Sequence, residues 1–451
     1  MASQKKQKKQ IKNQLSRKKS IRTNIRKTKS DQLVQYVKKF QNQFKLNQLD
    51  QDNKEIIPSY QSIPTSYQLK GKKKFQKKEA VKGLVGLKNL GNKCYMNASI
   101  QLLSNLQPLS DYFIEDFQLT EINRKNPIST QGLATVAFAN LIKSIWQMDI
   151  QKLTVKGTPI IIPEEFNKII GYCNKSFSDN SQQDAQEFLM YLLDMIHEDL
   201  NRVTFPIKSV QLREYLGDCN QRELERQAAE TWGDYLQRSK SIIVDLMQGQ
   251  FKNSLKCLSC DKYTYKFEPL MYLSVPIPEQ EECQLIECIK EYVKEEQLTN
   301  GNQWFCENCN KLVDAIKKID LWKLPTILII HLKRFKFVEN GIKKIEQAIN
   351  FPLESLNLSQ CLPKLQKEKP IYELLGVVCH TGTSDRGHYY TYARSKENFN
   401  WYLFNDRQVK QINVTEIPQE DAYLLMYGKS TIPLIKRQTI SFPENWPHVI
   451  K

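Results

Sequence analysis

The sequence has 451 residues, of which 40% are hydrophobic, which is enough for one large domain or for two to three average ones. Its 66 Lys and Arg against 49 Asp and Glu give a net charge of +17, a value that by itself suggests a nucleic-acid binder. Residues 1–80, however, hold 22 basic and 5 acidic residues, so the rest of the chain holds 44 of each. Global basicity therefore says little about what the folded part binds.

The sequence carries no sign of secretion or of a membrane anchor. Its first residues are basic but no apolar stretch follows them, and the longest apolar runs, such as 324–332, are far shorter than the ~20 residues of a membrane span. Its 11 cysteines are too few and too unevenly placed for a disulfide-stapled secreted module. We therefore expect an intracellular, soluble and monomeric protein in the cytoplasm, the nucleus or both.

The N-terminal arm, residues 1–80, differs in composition from the rest of the chain. Residues 1–30 hold 12 basic and no acidic residues, and a second basic cluster lies at Lys72–Lys78. Such a stretch buries too little apolar surface to offset its ordering entropy, so we predict that it is disordered. Nuclear import, a weak nucleic-acid contact, binding to an acidic membrane surface and a plain solvated tail all fit this composition. Residues 431–451 are predicted to be a short C-terminal tail.

Residues 81–430 have the composition of a folded domain, and the first part of this domain is mainly helical. Apolar residues recur every three to four positions from Ala185 to Leu200, which predicts an amphipathic helix. Ser181, followed three residues later by Asp184, is typical of a capping pair at the start of such a helix. The helical pattern continues through residues 222–248.

Short apolar runs replace the helical pattern after about residue 251. They predict strands at Leu270–Val275, Thr326–Lys333, Leu374–His380, Tyr389–Arg394 and Ala422–Tyr427. Helices that come first and strands that come later indicate an α+β fold rather than a doubly wound sheet.

Cys94 directly precedes an apolar helical stretch, Ala98–Leu106, and is predicted to lie in the first turn of that helix. Unpaired N–H groups and the macrodipole at a helix start favour negative charge and so favour a reactive thiolate. Gly86 and Gly91 permit a close approach of the backbone to a substrate carbonyl, and Asn89 can offer a side-chain amide to the same oxyanion. A buried core cysteine without chemistry fits the composition equally well.

A cysteine nucleophile needs a histidine base, which an Asn or Asp usually orients. Among the five histidines, His388 stands out because Gly387 precedes it and a predicted strand follows it. A hairpin between this strand and the next one, 401–406, would bring Asn405 or Asp406 to the imidazole. An ordinary hairpin with polar ends is the alternative.

Two C-x-x-C pairs, separated by 45 residues, predict a metal site. Each pair can form a knuckle with two thiolates, and two knuckles make a tetrahedral four-thiolate site of the kind that binds zinc. With four protein ligands the zinc would be structural and would clamp strands that lack a core of their own. Disulfides and an empty site are the alternatives. The predicted ligands are Cys257, Cys260, Cys306 and Cys309.

Several motifs agree, in order, with one known family. Gly86–Gln101 (GLKNLGNKCYMNASIQ) resembles the cysteine box of the ubiquitin-specific proteases (USPs), the papain-like deubiquitinases, and Ser181–Leu200 resembles their QQD box. Val377–Tyr392 (VVCHTGTSDRGHYYTY), followed by Trp401–Asp406, resembles their histidine box. The match covers residues 83–428, and several motifs that agree together are far more specific than one.

The resemblance implies an architecture for the whole domain. This is a papain-like cysteine protease fold with a thumb at residues 83–205, a zinc-binding β finger region at 245–320 and a palm at 321–430. Fingers and palm would hold ubiquitin, and the Gly-Gly end of ubiquitin would pass through a narrow channel.

The resemblance also implies catalytic roles for single residues. Cys94 would be the nucleophile and His388 its base. Asn405 would orient His388, with Asp406 beside it as a helper. Asn89 matches the position of the oxyanion donor in the family.

Contacts with ubiquitin are implied for three further residues, and one residue departs from the family pattern. Asp184 matches a residue that contacts the arginine-containing tail of ubiquitin, while His380 and Gly387 would line the cleft. The family usually has Thr at the position of Lys93. A lysine there either favours the thiolate of its neighbour or points to solvent.

The expected function is the removal of ubiquitin from conjugated proteins, by thiol-dependent hydrolysis of the isopeptide or peptide bond after the last glycine of ubiquitin. The partners would be ubiquitin and ubiquitinated proteins. The alternatives are a catalytically inactive ubiquitin-binding scaffold, an RNA-associated factor that acts through its basic arm, and a protease for another modifier.

Overall fold

The structure, a computed structural model, describes most of the predicted catalytic domain. The described residues are 81–148, 159–203, 215–217, 219–280, 282–339, 341–363, 370–383 and 386–430. The predicted N-terminal arm and C-terminal tail lie outside the described residues. Of the helices in the described ranges, none has both the length and the apolar character needed to cross a membrane.

The helices lie mostly before the strands, as the sequence predicts. Nine α-helices occur within the described ranges, and eight of them end before residue 248. In chain order they are α1 (Cys94–Ser104), α2 (Gln107–Ile114), α3 (Gln118–Glu121), α4 (Leu133–Gln147), α5 (Glu164–Cys173), α6 (Ala185–Asp199), α7 (Gln221–Leu236), α8 (Ile242–Met247) and α9 (Leu285–Tyr292).

Helix α1 runs through the interior of the domain, and every one of its residues is buried. On one side, the hydroxyl of Ser99 donates to the carbonyl of Ala185 in α6 (3.4 Å). On the other side, the hydroxyl of Thr391, in the sheet half of the domain, donates to the carbonyl of Ala98 (2.8 Å). A helix that is covered all round forms the wall between two layers, so α1 joins the helical half to the sheet half.

Two details of the helices differ from the sequence prediction. The N-cap of α6 is Asp184, whose carboxylate accepts the backbone N–H groups of Gln186 and Glu187, so the predicted capping role of Ser181 is wrong. The predicted helical stretch 222–248 consists of two helices, α7 and α8. They are separate because Ser241 is extended and caps the second helix through its hydroxyl.

The structure contains 21 strands in the described residues. In chain order they are β1 (Gly86–Leu87), β2 (Ile160–Ile161), β3 (Tyr215–Leu216), β4 (Gly249–Cys257), β5 (Tyr263–Leu270), β6 (Tyr272–Val275), β7 (Cys283–Gln284), β8 (Glu296–Leu298), β9 (Trp304–Cys306), β10 (Lys311–Val313), β11 (Ala315–Lys323), β12 (Ile327–Leu332), β13 (Phe335–Val338), β14 (Gly341–Lys344), β15 (Ile349–Asn350), β16 (Leu356–Asn357), β17 (Ile371–Gly382), β18 (Gly387–Arg394), β19 (Trp401–Asn405), β20 (Gln408–Gln411) and β21 (Ala422–Lys429).

Most of these strands belong to two large sheets. The finger sheet has the order β3-β5-β4-β11-β8 and is antiparallel throughout. The palm sheet has the order β20-β19-β18-β17-β21-β12-β6, with β16 paired to β17, and its one parallel pair is β6–β12. Helices at one end of the chain and a mainly antiparallel sheet at the other confirm the predicted α+β class.

The predicted strand Leu270–Val275 is wrong as a single element. Leu270 ends β5 in the finger sheet, where it pairs with Gly249, whereas Tyr272 begins β6 in the palm sheet, where it pairs with Ile329. Met271 lies between them outside both strands. The run looks continuous in the sequence because both strands are apolar, although the chain changes sheets within it.

The palm sheet buries one of its faces against α9. Leu285 and Ile289 of that helix pack with Leu328, Ile330 and Leu425 of the central strands, all of them buried. Each such side chain contributes roughly 1.5–3 kcal/mol to folding when it leaves water. The strand that carries the predicted base, His388, therefore belongs to a well-packed sheet, and this packing fixes the position of His388 relative to α1.

Candidate active site

Cys94 is the first residue of α1 and is buried, with 5% of its surface exposed. The loop before it turns tightly, since Gly91 has φ +100°, a conformation that L side chains rarely adopt. Farther upstream, a Cβ on Gly86 would lie 2.3 Å from the carbonyl oxygen of Arg407, so only glycine fits there. The backbone of the loop that precedes Cys94 is thus in close contact with the backbone of the turn that follows β19.

His388 lies near the start of β18 and is brought to Cys94 and to Asn405. The side chain of Cys94 interacts with the imidazole and is the largest cause of its raised pKa. On its other side, Nε2 of His388 lies 2.8 Å from Oδ1 of Asn405, the last residue of β19. The interaction with Cys94 first, and then the bond to Asn405, raise the pKa of His388 to about 9, against burial, which lowers it. The three side chains therefore form a connected row in which the imidazole readily holds a proton.

Asp406 faces α1, and its hydrogen bonds go elsewhere than to His388. One carboxylate oxygen accepts the side-chain amide of Asn89 (3.1 Å), and the other accepts that of Asn97 in α1 (2.8 Å). Its charge still helps to raise the pKa of His388, as the smallest of the causes. Asp406 thus supports the site mainly by holding two asparagines, while Asn405 contacts the imidazole.

The side chain of Asn89 is fixed on both of its ends. Its carbonyl oxygen accepts the backbone N–H groups of Gly91 (3.1 Å) and Lys93 (2.9 Å), and its amide nitrogen donates to Asp406. A side-chain amide has two N–H groups, so one remains after this bond. Rigid donors of this kind are what an oxyanion requires, because they need no reorganisation as charge develops.

Lys93 does not point to solvent, contrary to one of the two options drawn from the sequence. It is 2% exposed, and its ammonium donates to the backbone carbonyls of Phe177 (2.8 Å) and Asp179. Burial lowers the pKa of Lys93, and the nearby charge of Asp179 opposes that effect. The lysine is therefore directed away from the helix start and into the loop before α6.

Asp184 has two partners within the domain. One carboxylate oxygen caps α6, and the other accepts the hydroxyl of Tyr423 in β21. The residue is only partly buried, and a carboxylate offers about four acceptor positions. It keeps capacity for a further donor from outside.

His380 of β17 and Gly387 of β18 lie diagonally across the two strands, since Gly387 pairs with Gly382 and His380 pairs with Tyr389. A Cβ on Gly387 would lie 2.0 Å from Nε2 of His380, so the glycine leaves room for the ring. The imidazole is 2% exposed and packs at 4.5 Å from the ring of Tyr389, and burial lowers its pKa to about 4. His380 is therefore a neutral packed residue behind the site.

The four predicted cysteine ligands converge at the far end of the finger sheet. Their Sγ atoms all lie within 4.8 Å of one another, a set that can hold a metal ion, with Cys257 and Cys309 at 3.8 Å and Cys260 and Cys306 at 3.9 Å. All four are free thiols, so the disulfide alternative does not apply. Tetrahedral ligands at a Zn–S distance of ~2.3 Å would be ~3.8 Å apart, and the pairs Cys257–Cys309 and Cys260–Cys306 have that spacing.

The ubiquitin carboxyl-terminal hydrolase family matches residues 85–427, which is about three-quarters of the chain. This chain belongs to that family. Ubiquitin carboxyl-terminal hydrolase 4 of Eremothecium gossypii is 34% identical over 370 residues, which cover 76% of this chain and 42% of that protein. Human ubiquitin carboxyl-terminal hydrolase 2 is 34% identical over 358 residues, which cover 79% of this chain and 56% of that protein. The chain thus spans about half the length of these family members.

Solved structures show the same fold. The SAGA Ubp8/Sgf11/Sus1/Sgf73 deubiquitinating module bound to ubiquitin aldehyde contains a chain with a TM-score of 0.57 and 24% identity to this one. The similarity covers 78% of this chain and 70% of that chain. It confirms the papain-like fold of the hydrolase family for the described domain.

Three residues of this candidate site were given no role by the sequence analysis. Asn97 supports Asp406, Tyr423 binds Asp184, and Gln182 accepts the backbone N–H of Gly387 (3.1 Å). Asn97 follows Cys94 by three residues and so lies on one side of the same helix, a spacing that could have indicated a shared environment. The other two pairings are long-range, and no local pattern reveals them.

Proposed function

We propose that this chain is a deubiquitinase, which hydrolyses the isopeptide or peptide bond after the C-terminal glycine of ubiquitin. The observation that carries the proposal is the row formed by Cys94, His388 and Asn405 in a chain of the ubiquitin carboxyl-terminal hydrolase family. A thiol at a helix start beside a protonated imidazole is the arrangement that acyl transfer by a cysteine requires.

The proposed reaction has two steps. The sulfur of Cys94 attacks the glycine carbonyl, and the amide of Asn89, with backbone N–H groups at the start of α1, stabilises the oxyanion. His388 gives its proton to the leaving amine, which frees the substrate and leaves a thioester on Cys94. His388 then takes a proton from water, and the hydroxide displaces the sulfur, which releases ubiquitin with a free carboxylate.

A ubiquitin derivative with a C-terminal electrophile tests this proposal. We expect a covalent adduct at Cys94, and cleavage of a fluorogenic ubiquitin substrate that Cys94→Ala abolishes while ubiquitin binding remains. Cys173→Ser is the control, since Cys173 is a partly buried thiol at the end of α5 and belongs neither to the row nor to the metal cluster. Binding of ubiquitin without any adduct would instead support the inactive-scaffold alternative, and labelling by the probe of another modifier alone would change the substrate.

We propose ubiquitin as the partner at Asp184, which keeps acceptor capacity beyond its cap and its bond to Tyr423. An arginine in the tail of ubiquitin would form a charge-assisted bond there. Asp184→Asn keeps the shape of the side chain and removes the charge. A KM increase of about tenfold with little change of kcat is expected, in line with ~1.5–3 kcal/mol for a hydrogen bond to a charged group.

We propose zinc as the metal of the four-cysteine cluster. The residues fit, because four thiolates at tetrahedral spacing are the donor set that zinc prefers. Bound there, zinc would supply no chemistry to the reaction and would only hold the end of the finger sheet. Purified protein should contain about one zinc per chain by metal analysis, and Cys306→Ser should lose it.

For the surroundings of the enzyme we propose an intracellular location, in cytoplasm or nucleus, and a monomer. Free cysteines, including the four-thiol cluster, support a reducing compartment. The basic N-terminal arm would add a weak, salt-dependent contact with nucleic acid. Loss of RNA retention on deletion of residues 1–80, measured at increasing salt, would support that contact.

A further inference from the structure

The buried ammonium of Lys93 is unusual at this position of a helix. Lys93 is the N-cap of α1, where its side chain cannot accept a hydrogen bond from the helix and where a positive charge is disfavoured. A buried cation is costly unless it is fully hydrogen-bonded. Here two backbone carbonyls accept from it, and the ring of Tyr95 lies 5.9 Å away, within the range of a weak cation–π contact.

The two carbonyls that accept from Lys93 belong to one segment. This segment contacts both sides of the catalytic row (Cys94, His388 and Asn405): the loop before Cys94 and the residue before His388. This bridging segment is residues 177–182, which begins at the last residue of a short 3-10 helix (Lys175–Phe177) and leads to α6. On the nucleophile side, the amide of Asn92 also donates to the carbonyl of Asn180 (2.8 Å). On the base side, the side chain of Gln182 accepts the backbone N–H of Gly387, the residue directly before His388.

We propose that Lys93 is a positioning residue, which sets the distance between Cys94 and His388 by fixing the start of α1 to the bridging segment. The inference rests on the proposed function, because it assigns Lys93 a part in the same reaction. Lys93 touches neither the substrate nor the reacting atoms in this scheme. It acts through its backbone, which is covalently joined to Cys94 and whose N–H also holds Asn89.

The alternative is that Lys93 only stabilises the fold. The two roles differ in the property that a substitution of Lys93 would change. A lysine that only anchors the loop would change the stability of the domain and leave the reactivity of Cys94 unchanged. A positioning lysine changes the alignment of the thiol with the imidazole, and displacements of about 1 Å can reduce rates by up to 10²-fold.

The test is Lys93→Met in the full chain, which keeps the length of the side chain and removes the donors. We expect kcat for a fluorogenic ubiquitin substrate to fall about tenfold or more, with KM within about twofold of wild type. Without ubiquitin, alkylation of Cys94 by iodoacetamide, mapped by peptide mass spectrometry, should slow about tenfold at neutral pH. Slower alkylation follows because a displaced imidazole no longer supports the thiolate.

Lys175→Met is the matched control, because Lys175 begins the 3-10 helix next to the bridging segment and its side chain is exposed. The same substitution there should leave kcat, KM and alkylation at wild-type values. If Lys93→Met lowers only the thermal midpoint, and Cys94 alkylation matches wild type, the positioning role is wrong.

A second variant covers the case in which Lys93→Met does not fold. Asn92→Gly removes the other donor to the bridging segment, and glycine tolerates the φ of 50° at this exposed position. It should slow Cys94 alkylation a few-fold, and a wild-type rate in this variant would overturn the proposal. Because alkylation needs no ubiquitin, the comparison stands even if the wild-type chain proves unable to cleave ubiquitin.

Discussion

The row of Cys94, His388 and Asn405 and the four-cysteine cluster are held together in opposite ways. Around Cys94, residues far apart in sequence are joined by hydrogen bonds inside a well-packed domain, such as those from Asn89 and Asn97 to Asp406. We call the other region the fingertip, defined as Cys257–Cys260 with residues 304–313. Its buried apolar cluster consists only of Cys257, Cys306 and Val313.

The surface of the fingertip also indicates weak packing, because large apolar side chains are exposed there. Phe305 and Leu312, which face each other across β9 and β10, are 50% and 60% exposed, and Leu258 in the first knuckle is 45% exposed. So small a core contributes little to folding, and a metal ion held by the four thiols would be the main source of order in the fingertip. The catalytic row should therefore survive loss of a metal, whereas the fingertip should not.

The largest effect is expected for Cys306→Ser, which removes one of the four thiol ligands. Structural zinc contributes ~10–16 kcal/mol in zinc-finger peptides, so hydrogen-exchange protection in β9 and β10 should fall by roughly 10³-fold or more. Protection in β17 and β18 should stay as in wild type. Cys173→Ser is the matched control and should leave both regions unchanged. Equal loss of protection in the palm sheet would show that the two regions are not independent.

Asn89→Ala should have the next largest effect, on catalysis alone. Removal of one oxyanion donor typically costs ~10²–10³ in kcat, and the two acceptor bonds to the backbone N–H groups of Gly91 and Lys93 are lost as well. Fingertip protection should not change. Asn400→Ala, at an exposed position of the palm, serves as the control in a fluorogenic ubiquitin assay. A kcat within a few-fold of wild type would contradict the assignment of Asn89.

The sequence predicted the parts of the site whose signals are local. Cys94 at a helix start and His388 at a strand start follow from short patterns, and the C-x-x-C spacing predicts a four-cysteine cluster. The partner of Asp406 and the direction of Lys93 depend on contacts between distant segments, so no pattern near either residue reveals them. The strand break at Met271 was missed for a similar reason, because apolar residues continue across a change of sheet.

Asn405→Ala should have a moderate effect and should change the pH dependence. The pKa of His388 lies at about 9, above its ordinary value of 6.5, and the bond to Asn405 is one cause. A raised pKa stabilises the folded protein below about pH 6.5, and that contribution is lost as pH rises through 9.

Without Asn405 the pKa of His388 should fall, so the alkaline limb of kcat/KM should move to lower pH. The loss of kcat at neutral pH should be about tenfold to hundredfold, less than that for removal of the base itself. Asn405→Asp should keep the limb at or above its wild-type position, because a carboxylate also accepts from the imidazole. A limb that does not move in Asn405→Ala would show that Asn405 does not support the imidazolium.

Tyr423→Phe should have the smallest effect. It tests whether one hydrogen bond near the catalytic row affects ubiquitin binding by itself. Its hydroxyl donates to the carboxylate of Asp184, and a hydrogen bond to a charged group contributes ~1.5–3 kcal/mol to stability. Tyr427→Phe is the matched control, since that hydroxyl donates to the carbonyl of Pro352 (2.7 Å) in the palm core. Both variants should lower the denaturant midpoint, Tyr423→Phe by more, because its lost acceptor is a carboxylate rather than a neutral carbonyl. Only Tyr423→Phe should also raise KM for ubiquitin, by up to about fivefold, because Asp184 then loses the bond that orients it. Equal KM values in the two variants would mean that the cap of α6 alone holds Asp184 in place.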